Sequence, residues 1–180
     1  MQEDINRAIK ILKEGGIIAY PTEGIFGLGC DPFNQTAVMR LLKIKQRAVL
    51  KGLILIAASW DQVTDLIKLK NLDLPKPDPK NPTTWVFPAT KKIPAWVCGD
   101  FKSIAIRVTT HPLAKTLCQK FGGPIISTSA NLSGRIPSKN TKQTKEQFAA
   151  VIDFILPGEV GSLNKPSQIC DIKTRELLRK

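Results

Sequence analysis

Ile5, Ala8, Ile9 and Leu12 fall at i, i+3, i+4 and i+7, which predicts an amphipathic helix stopped by Gly15-Gly16. The apolar run "IIAYP" then predicts a strand, and "TEGIFGLGCDPFN", with three glycines, a loop. Asn34 is placed to cap a second helix that turns Val38, Leu41 and Leu42 inward. "GLILIA" reads as a buried strand, and Ser59 followed by Gln62 as a capping box opening a helix through Ile67. "TTWVFPA" and "SIAIRV" read as strands, and "HPLAKTLCQKFGG" as a helix with Pro112 in its first turn and a Gly-Gly stop. "PIIST" predicts a strand, "TKEQFAAV" a short helix, and "VIDFIL", "SQICDI" and "ELLRK" further strands.

Strands alternating with helices predict an α/β protein, and the late run of strands without helices makes the sheet mixed. At 180 residues the chain suits one domain, residues 1–180, and no internal repeat is seen. Lys68 to Pro82, "KLKNLDLPKPDPKNP", has four prolines and reads as a loop.

Composition narrows the classes. No apolar run approaches the ~20 residues that span a bilayer. "MQEDINRAIK" lacks the apolar segment of a signal peptide. A cytoplasmic protein with no membrane partner is the expectation. Cys30, Cys98, Cys118 and Cys170 make no C-x-x-C pair, and His111 is the single histidine. Clustered zinc or redox sites are thus not expected, and the cysteines read as buried thiols. The net charge of +12, from 27 basic and 15 acidic residues, favours polyanionic partners such as nucleotides or RNA, or else a solvated basic surface.

Several chemistries lack their motifs. G-x-x-x-x-G-K-[ST] and G-x-S-x-G are absent, and "GIFGLG" has the wrong spacing for a dinucleotide fingerprint. His111 precedes a proline at a helix start and reads as structural. Glu23 and Asp31 are separated by a glycine-rich loop and form no evident pair. Ser127 or Ser129 as nucleophile would need a base that the sequence does not offer.

Three groups of residues keep more than one reading. Lys45 and Arg47 point apart on a helix but together on an extended exit, where they would suit a phosphate chain. Arg107 ends an apolar strand, either on a solvent face or buried with a carboxylate or phosphate. "STSANLSG", from Ser127 to Gly134, is either a turn or an anion cradle at a strand end.

"AYPTEGIFGLGCDP", "LKIKQR", "SIAIRVTTHP", "STSANLSG" and "NKPSQICDI" occur here in the order and separation seen in the TsaC/YrdC threonylcarbamoyl-AMP synthases, which the chain resembles over nearly its whole length. The resemblance implies a twisted, open mixed α/β sheet with flanking helices and a concave basic face. It implies synthesis of L-threonylcarbamoyladenylate and pyrophosphate from L-threonine, bicarbonate and ATP with Mg²⁺. A partner transferase complex then modifies tRNA. By position, Thr22 would line the threonine site and Arg107 clamp the threonine carboxylate. Lys45 and Arg47, the K-x-R cations, would bind ATP phosphates and carry the catalytic charge. Ser129 would sit near threonine or the α-phosphate and Asn131 on ATP. Ser167 would join the threonine site, and Arg179 would reach the nucleotide. No protein side chain is implied as a direct metal ligand. The alternative is a binder of tRNA or double-stranded RNA that keeps the fold without turnover. Departures are "PKNPTTWVFPA" where the family often has W-P-G-P-x-T, and Ala48 where a proline usually follows K-x-R.

Overall fold

The computed structural model describes residues 1–68, 73–132, 134–163 and 167–179. In chain order the elements are α1 Gln2–Lys13, β1 Ile18–Pro21, β2 Phe26–Gly29, α2 Gln35–Ile44, β3 Ile54–Ala57, β4 Thr83–Pro88, α3 Ala95–Cys98, β5 Ser103–Val108, α4 Pro112–Phe121, β6 Ile125–Ile126, β7 Thr128–Ser129, α5 Thr141–Phe148, β8 Phe154–Ile155, β9 Gln168–Asp171 and β10 Leu177–Arg179.

The strands form two mixed sheets rather than one. β7-β2-β1-β8 is the smaller and β10-β9-β4-β5-β3-β6 the larger. The predicted strand "PIIST" is where the chain passes between them. Ile125 and Ile126 pair antiparallel with β3, and Thr128 and Ser129 pair antiparallel with β2. Ser127 between them donates its backbone N–H to Ile54 O at 2.9 Å. Within the larger sheet β3 runs parallel to β5 and β4 parallel to β9, while β4–β5 is antiparallel.

Two apolar layers flank this framework. The larger joins Leu41, Leu55, Phe87, Ile104, Ile106 and Phe148, packed between the sheets and α2, α3 and α5. The smaller joins the predicted face of α1 (Ile5, Ala8, Ile9, Leu12) to α4, Ile18, Tyr20 and Ile125. Asn34 caps α2 as expected, its Oδ1 accepting from Ala37 N at 3.0 Å.

Four local expectations need correction. The "TEGIFGLG" loop contains β2, whose residues pair with β1 from Phe26 to Gly29. Gly29 permits this because a Cβ there would lie 2.2 Å from Ile126 O. Ser59 caps no α-helix. Gln62 instead accepts from Ala58 N and donates to Cys118 O, and two short 3₁₀ turns replace the predicted helix. The fifth helix starts a turn early because Asn140 caps it through Gln143 N at 2.9 Å. α3 was not expected at all; its four residues are too few to show a periodicity. The predicted loop at 68–82 is without regular structure where described, its residues 69–72 lying outside the described residues. Ser133, Asn164 to Pro166 and Lys180, within predicted segments, also lie outside them. Among the described residues no helix is long and apolar enough to cross a membrane.

Candidate active site

A cavity of ≈ 220 Å³ lies where the two sheets meet. Thr22, Glu23, Arg47, Arg107, Ser129, Ser167 and Arg179 are among the residues that line it. Six residues singled out in the sequence (Thr22, Arg47, Arg107, Ser129, Ser167 and Arg179) thus converge from segments far apart in the chain.

Arg107 settles one open question: it is buried, and paired. Its backbone belongs to β5, whose alternate residues Ile104 and Ile106 enter the core, so the period of two sends Arg107 to the cavity side. Nη1 donates to Ser167 Oγ at 2.9 Å, and Nη2 stands 3.3 Å from Glu23 Oε2. Ser167 Oγ shares a second hydrogen bond of 2.8 Å with the Thr84 hydroxyl, which is fully buried. Glu23 Oε1 accepts from Thr109 Oγ1 at 2.7 Å and from Thr110 N at 3.1 Å. Burial alone would raise the Glu23 pKa. The Arg107 guanidinium, with the Thr109 and Thr110 hydrogen bonds, outweighs burial and holds the carboxyl below its ordinary range.

α2 ends at Ile44, and Gln46 takes φ 48°, so Arg47 leaves the helix on a turn; the exit is not the extended one on which Lys45 and Arg47 would point together. Its Nη2 donates to Gly52 O at 2.9 Å. Arg179, on the edge strand β10, donates from Nη2 to Ser167 O at 3.1 Å. Desolvation, then the Arg107 and Arg47 charges, lower the Arg179 pKa. Three guanidinium groups against the Glu23 carboxylate leave the cavity positively charged, the basic concave face anticipated from the resemblance.

Lys45 and Asn131 sit behind this wall rather than lining it. Lys45 Nζ donates to Ser129 O at 2.6 Å, to Asn131 Oδ1 at 3.0 Å and to Asn131 O. The ammonium thus uses all three donors to knit the Ser129–Asn131 turn. Ser129 Oγ donates to Asn131 Oδ1 at 2.6 Å. The Asn131 amide nitrogen donates to Leu132 O and Arg135 O. Burial, then the nearby Arg47 charge, lower the Lys45 pKa to about 8. Within "STSANLSG", residues 127–129 form one wall of the cavity and residues 129–131 a turn behind it.

Sequence reasoning missed Glu23 and Thr109 as site residues. In sequence Glu23 stands out only against Asp31, with which it forms no evident pair. Thr109 could have been found, since it lies two residues beyond Arg107 and so faces the same way on an extended chain. His111 is structural as expected, capping α4 without a side-chain hydrogen bond to it. No group of three or more His, Cys, Asp or Glu able to hold a metal occurs among the described residues.

The Sua5_yciO_yrdC family model, described as "Telomere recombination", matches residues 10–180. The Threonylcarbamoyl-AMP synthase of Coxiella burnetii is 50% identical over 180 residues, covering 98% of this chain and 97% of that protein. The crystal structure of Escherichia coli YciO superposes with a TM-score of 0.85 at 26% identity, over 100% of this chain and 90% of that one. P. abyssi Sua5 complexed with L-threonine superposes with a TM-score of 0.83 at 28% identity, and its match covers 93% of this chain but only 50% of that one. Matched by its family model from residue 10 to 180 and half identical to a relative over nearly the full length of both, the chain belongs to the Sua5/YciO/YrdC family.

Proposed function

We propose that this protein is a threonylcarbamoyl-AMP synthase, which makes L-threonylcarbamoyladenylate and pyrophosphate from L-threonine, bicarbonate and ATP. The observation that carries the reading is the convergence of Arg47, Arg107 and Arg179 on one cavity with a single carboxylate, Glu23. Such a site suits a ligand set rich in negative charge. The name of the Coxiella burnetii relative, over nearly its full length, favours turnover above the RNA-binding alternative.

In this reading Arg107 clamps the threonine carboxylate, with Ser167 fixed beside it and Thr22 on the adjoining wall. Glu23 keeps the Arg107 fork aimed. Arg47 and Arg179 receive the nucleotide, and Ser129 stands between the two ligands. Lys45 contributes its charge from behind the wall and, with Asn131, holds the Ser129 turn in place. Mg²⁺ enters with the ATP phosphates, since Glu23, the cavity's carboxylate, is already engaged by Arg107, Thr109 and Thr110.

The threonine nitrogen forms a C–N bond to bicarbonate with loss of water, giving a carbamate. A carbamate oxygen then attacks the α-phosphorus and pyrophosphate leaves. This chemistry asks for positioning and charge neutralisation rather than a covalent intermediate, which the arginine-rich wall supplies. The product's activated carbonyl is then passed to a transferase acting on tRNA.

The test is pyrophosphate release from ATP, Mg²⁺, bicarbonate and threonine. Release that requires both threonine and bicarbonate is expected. Release indifferent to threonine would overturn the assignment.

A further inference from the structure

We infer that His111 is a positioning residue: its Nε2–H pins residues 157–163 against the Thr22–Gly24 wall and so sets the threonine side of the cavity. This rests on the proposed synthase reading for its kinetic consequence, and on geometry alone for the rest.

His111 is 8% exposed, and its Nε2 lies 3.0 Å from Glu159 O. A carbonyl oxygen only accepts, so Nε2 must carry the proton. In the neutral ring Nδ1 is then the bare nitrogen; it is buried and without a hydrogen-bond partner among the described residues. The His111–Glu159 bond is the one side-chain hydrogen bond to residues 157–163 among the described residues.

What it holds is a strap laid directly on the site. Gly161 N donates to Thr22 O at 2.9 Å and Leu163 N to Glu23 O at 3.2 Å. The approach leaves no room for a Cβ at Gly24 or Gly161. A Cβ on Gly24 would lie 2.4 Å from Leu163 O, and one on Gly161 would lie 2.5 Å from Glu23 O. Four residues after Leu163 the chain reaches Ser167, whose hydroxyl meets Arg107.

The segment from Arg107 to His111 therefore grips the wall twice. Arg107, Thr109 and Thr110 hold the Glu23 carboxylate. His111 holds the strap lying over the Thr22 and Glu23 backbone. Its own N–H donates to Thr109 Oγ1 at 3.3 Å, which couples the two grips. A shift of the strap moves the Thr22 and Glu23 backbone, which lines the threonine side of the cavity.

The test compares His111→Ala with His111→Gln, whose amide nitrogen can stand in for Nε2–H. Hydrogen exchange at the Gly161 and Leu163 amides should speed up about tenfold in the Ala variant, the scale of one lost hydrogen bond, and return towards wild type in the Gln variant. The threonine KM should rise by a similar factor, with kcat and the ATP KM within about twofold of wild type. Unchanged exchange at both amides in His111→Ala, or equal effects of the two substitutions, would overturn the inference. Should the Ala variant not fold, nitrogen-15 NMR of wild-type His111 decides it: protonated Nε2 and bare Nδ1 support the role, and the opposite tautomer defeats it. A wild-type protein showing no threonine-dependent pyrophosphate release would defeat the synthase reading, while exchange and tautomer would still judge His111.

Discussion

Replacing Arg107 by methionine keeps most of the side chain's volume and removes the cation beside Glu23. Both partners are buried, with side-chain exposures of 11% and 7%, so solvent screens the pair little. Breaking a buried pair typically costs 3–5 kcal/mol, because the surviving charge is stranded. Glu23 keeps its bonds from Thr109 and Thr110, which places the expected loss near the lower end, about 3 kcal/mol at pH 7. In a chain of this length that corresponds to a Tm lower by roughly 6–12 °C.

The pH dependence gives the sharper check. In the wild type the Glu23 pKa is depressed, so its contribution to stability is present above the ordinary carboxyl pKa and lost as pH falls through the depressed value. Without Arg107 burial dominates and the pKa rises. Folding then binds a proton more tightly, and stability declines as pH climbs from about 4.3 through the raised value. The gap between variant and wild type should therefore be widest near neutrality and narrow towards pH 4. Urea unfolding at pH 7 and pH 4.5 measures it, and adding Glu23→Gln to Arg107→Met should recover much of the loss at pH 7. A gap indifferent to pH, with no recovery in the double variant, would refute the argument that a stranded carboxylate is the cause.

Three further outcomes are expected. Arg47→Ala should lower kcat/KM for ATP about 10- to 100-fold, the scale of one charge-assisted contact, and an unchanged value would remove Arg47 from the nucleotide side. The Lys45 side chain should titrate near 8 by NMR, well below ordinary lysines, and the Asn131 amide should follow the same transition; a Lys45 midpoint above pH 10 would contradict its desolvation. Because this pKa is lowered, the cost of burying the ammonium is fully present below pH 8 and relieved between about 8 and 10.4. Gly24→Ala should cost about 1–3 kcal/mol in urea unfolding, since the obstructing Leu163 O is backbone, whereas Gly123→Ala, with nothing within 4 Å, should be near neutral.

The hydrophobic pattern disclosed the elements whose period is long enough to read. α1, α2 and α4 follow from spacing and stops, and β5 from four apolar residues in a run of six. It did not disclose β2, because two of its four residues are glycines chosen for close packing rather than for strand propensity. Nor did it reveal two sheets, since "PIIST" is continuous in sequence and only long-range pairing divides it at Ser127. For the site, the motif residues were legible as cations and hydroxyls, but their depth was not. Lys45 and Arg47 look equivalent two residues apart, yet the turn at Gln46 sends one behind the wall and the other into it. Glu23 was hidden because its partners, at 107, 109 and 110, are far away along the chain.

That same dispersal governs when the cavity can exist during synthesis. Its lining begins at Thr22 and ends at Arg179, and β1 must wait for β8, just as β4 waits for β9. Pairings over such separations pay their loop-closure entropy late, which places folding towards the slow end for a chain of this size. A nascent chain halted before residue 167 would hold both the Arg107 guanidinium and the Glu23 carboxylate but neither Ser167 nor the outer strands. The wall formed by Ser167 and Arg179 is therefore added to the cavity only after Thr22, Arg47, Arg107 and Ser129 have been made, and β9 and β10 close it last among the lining segments.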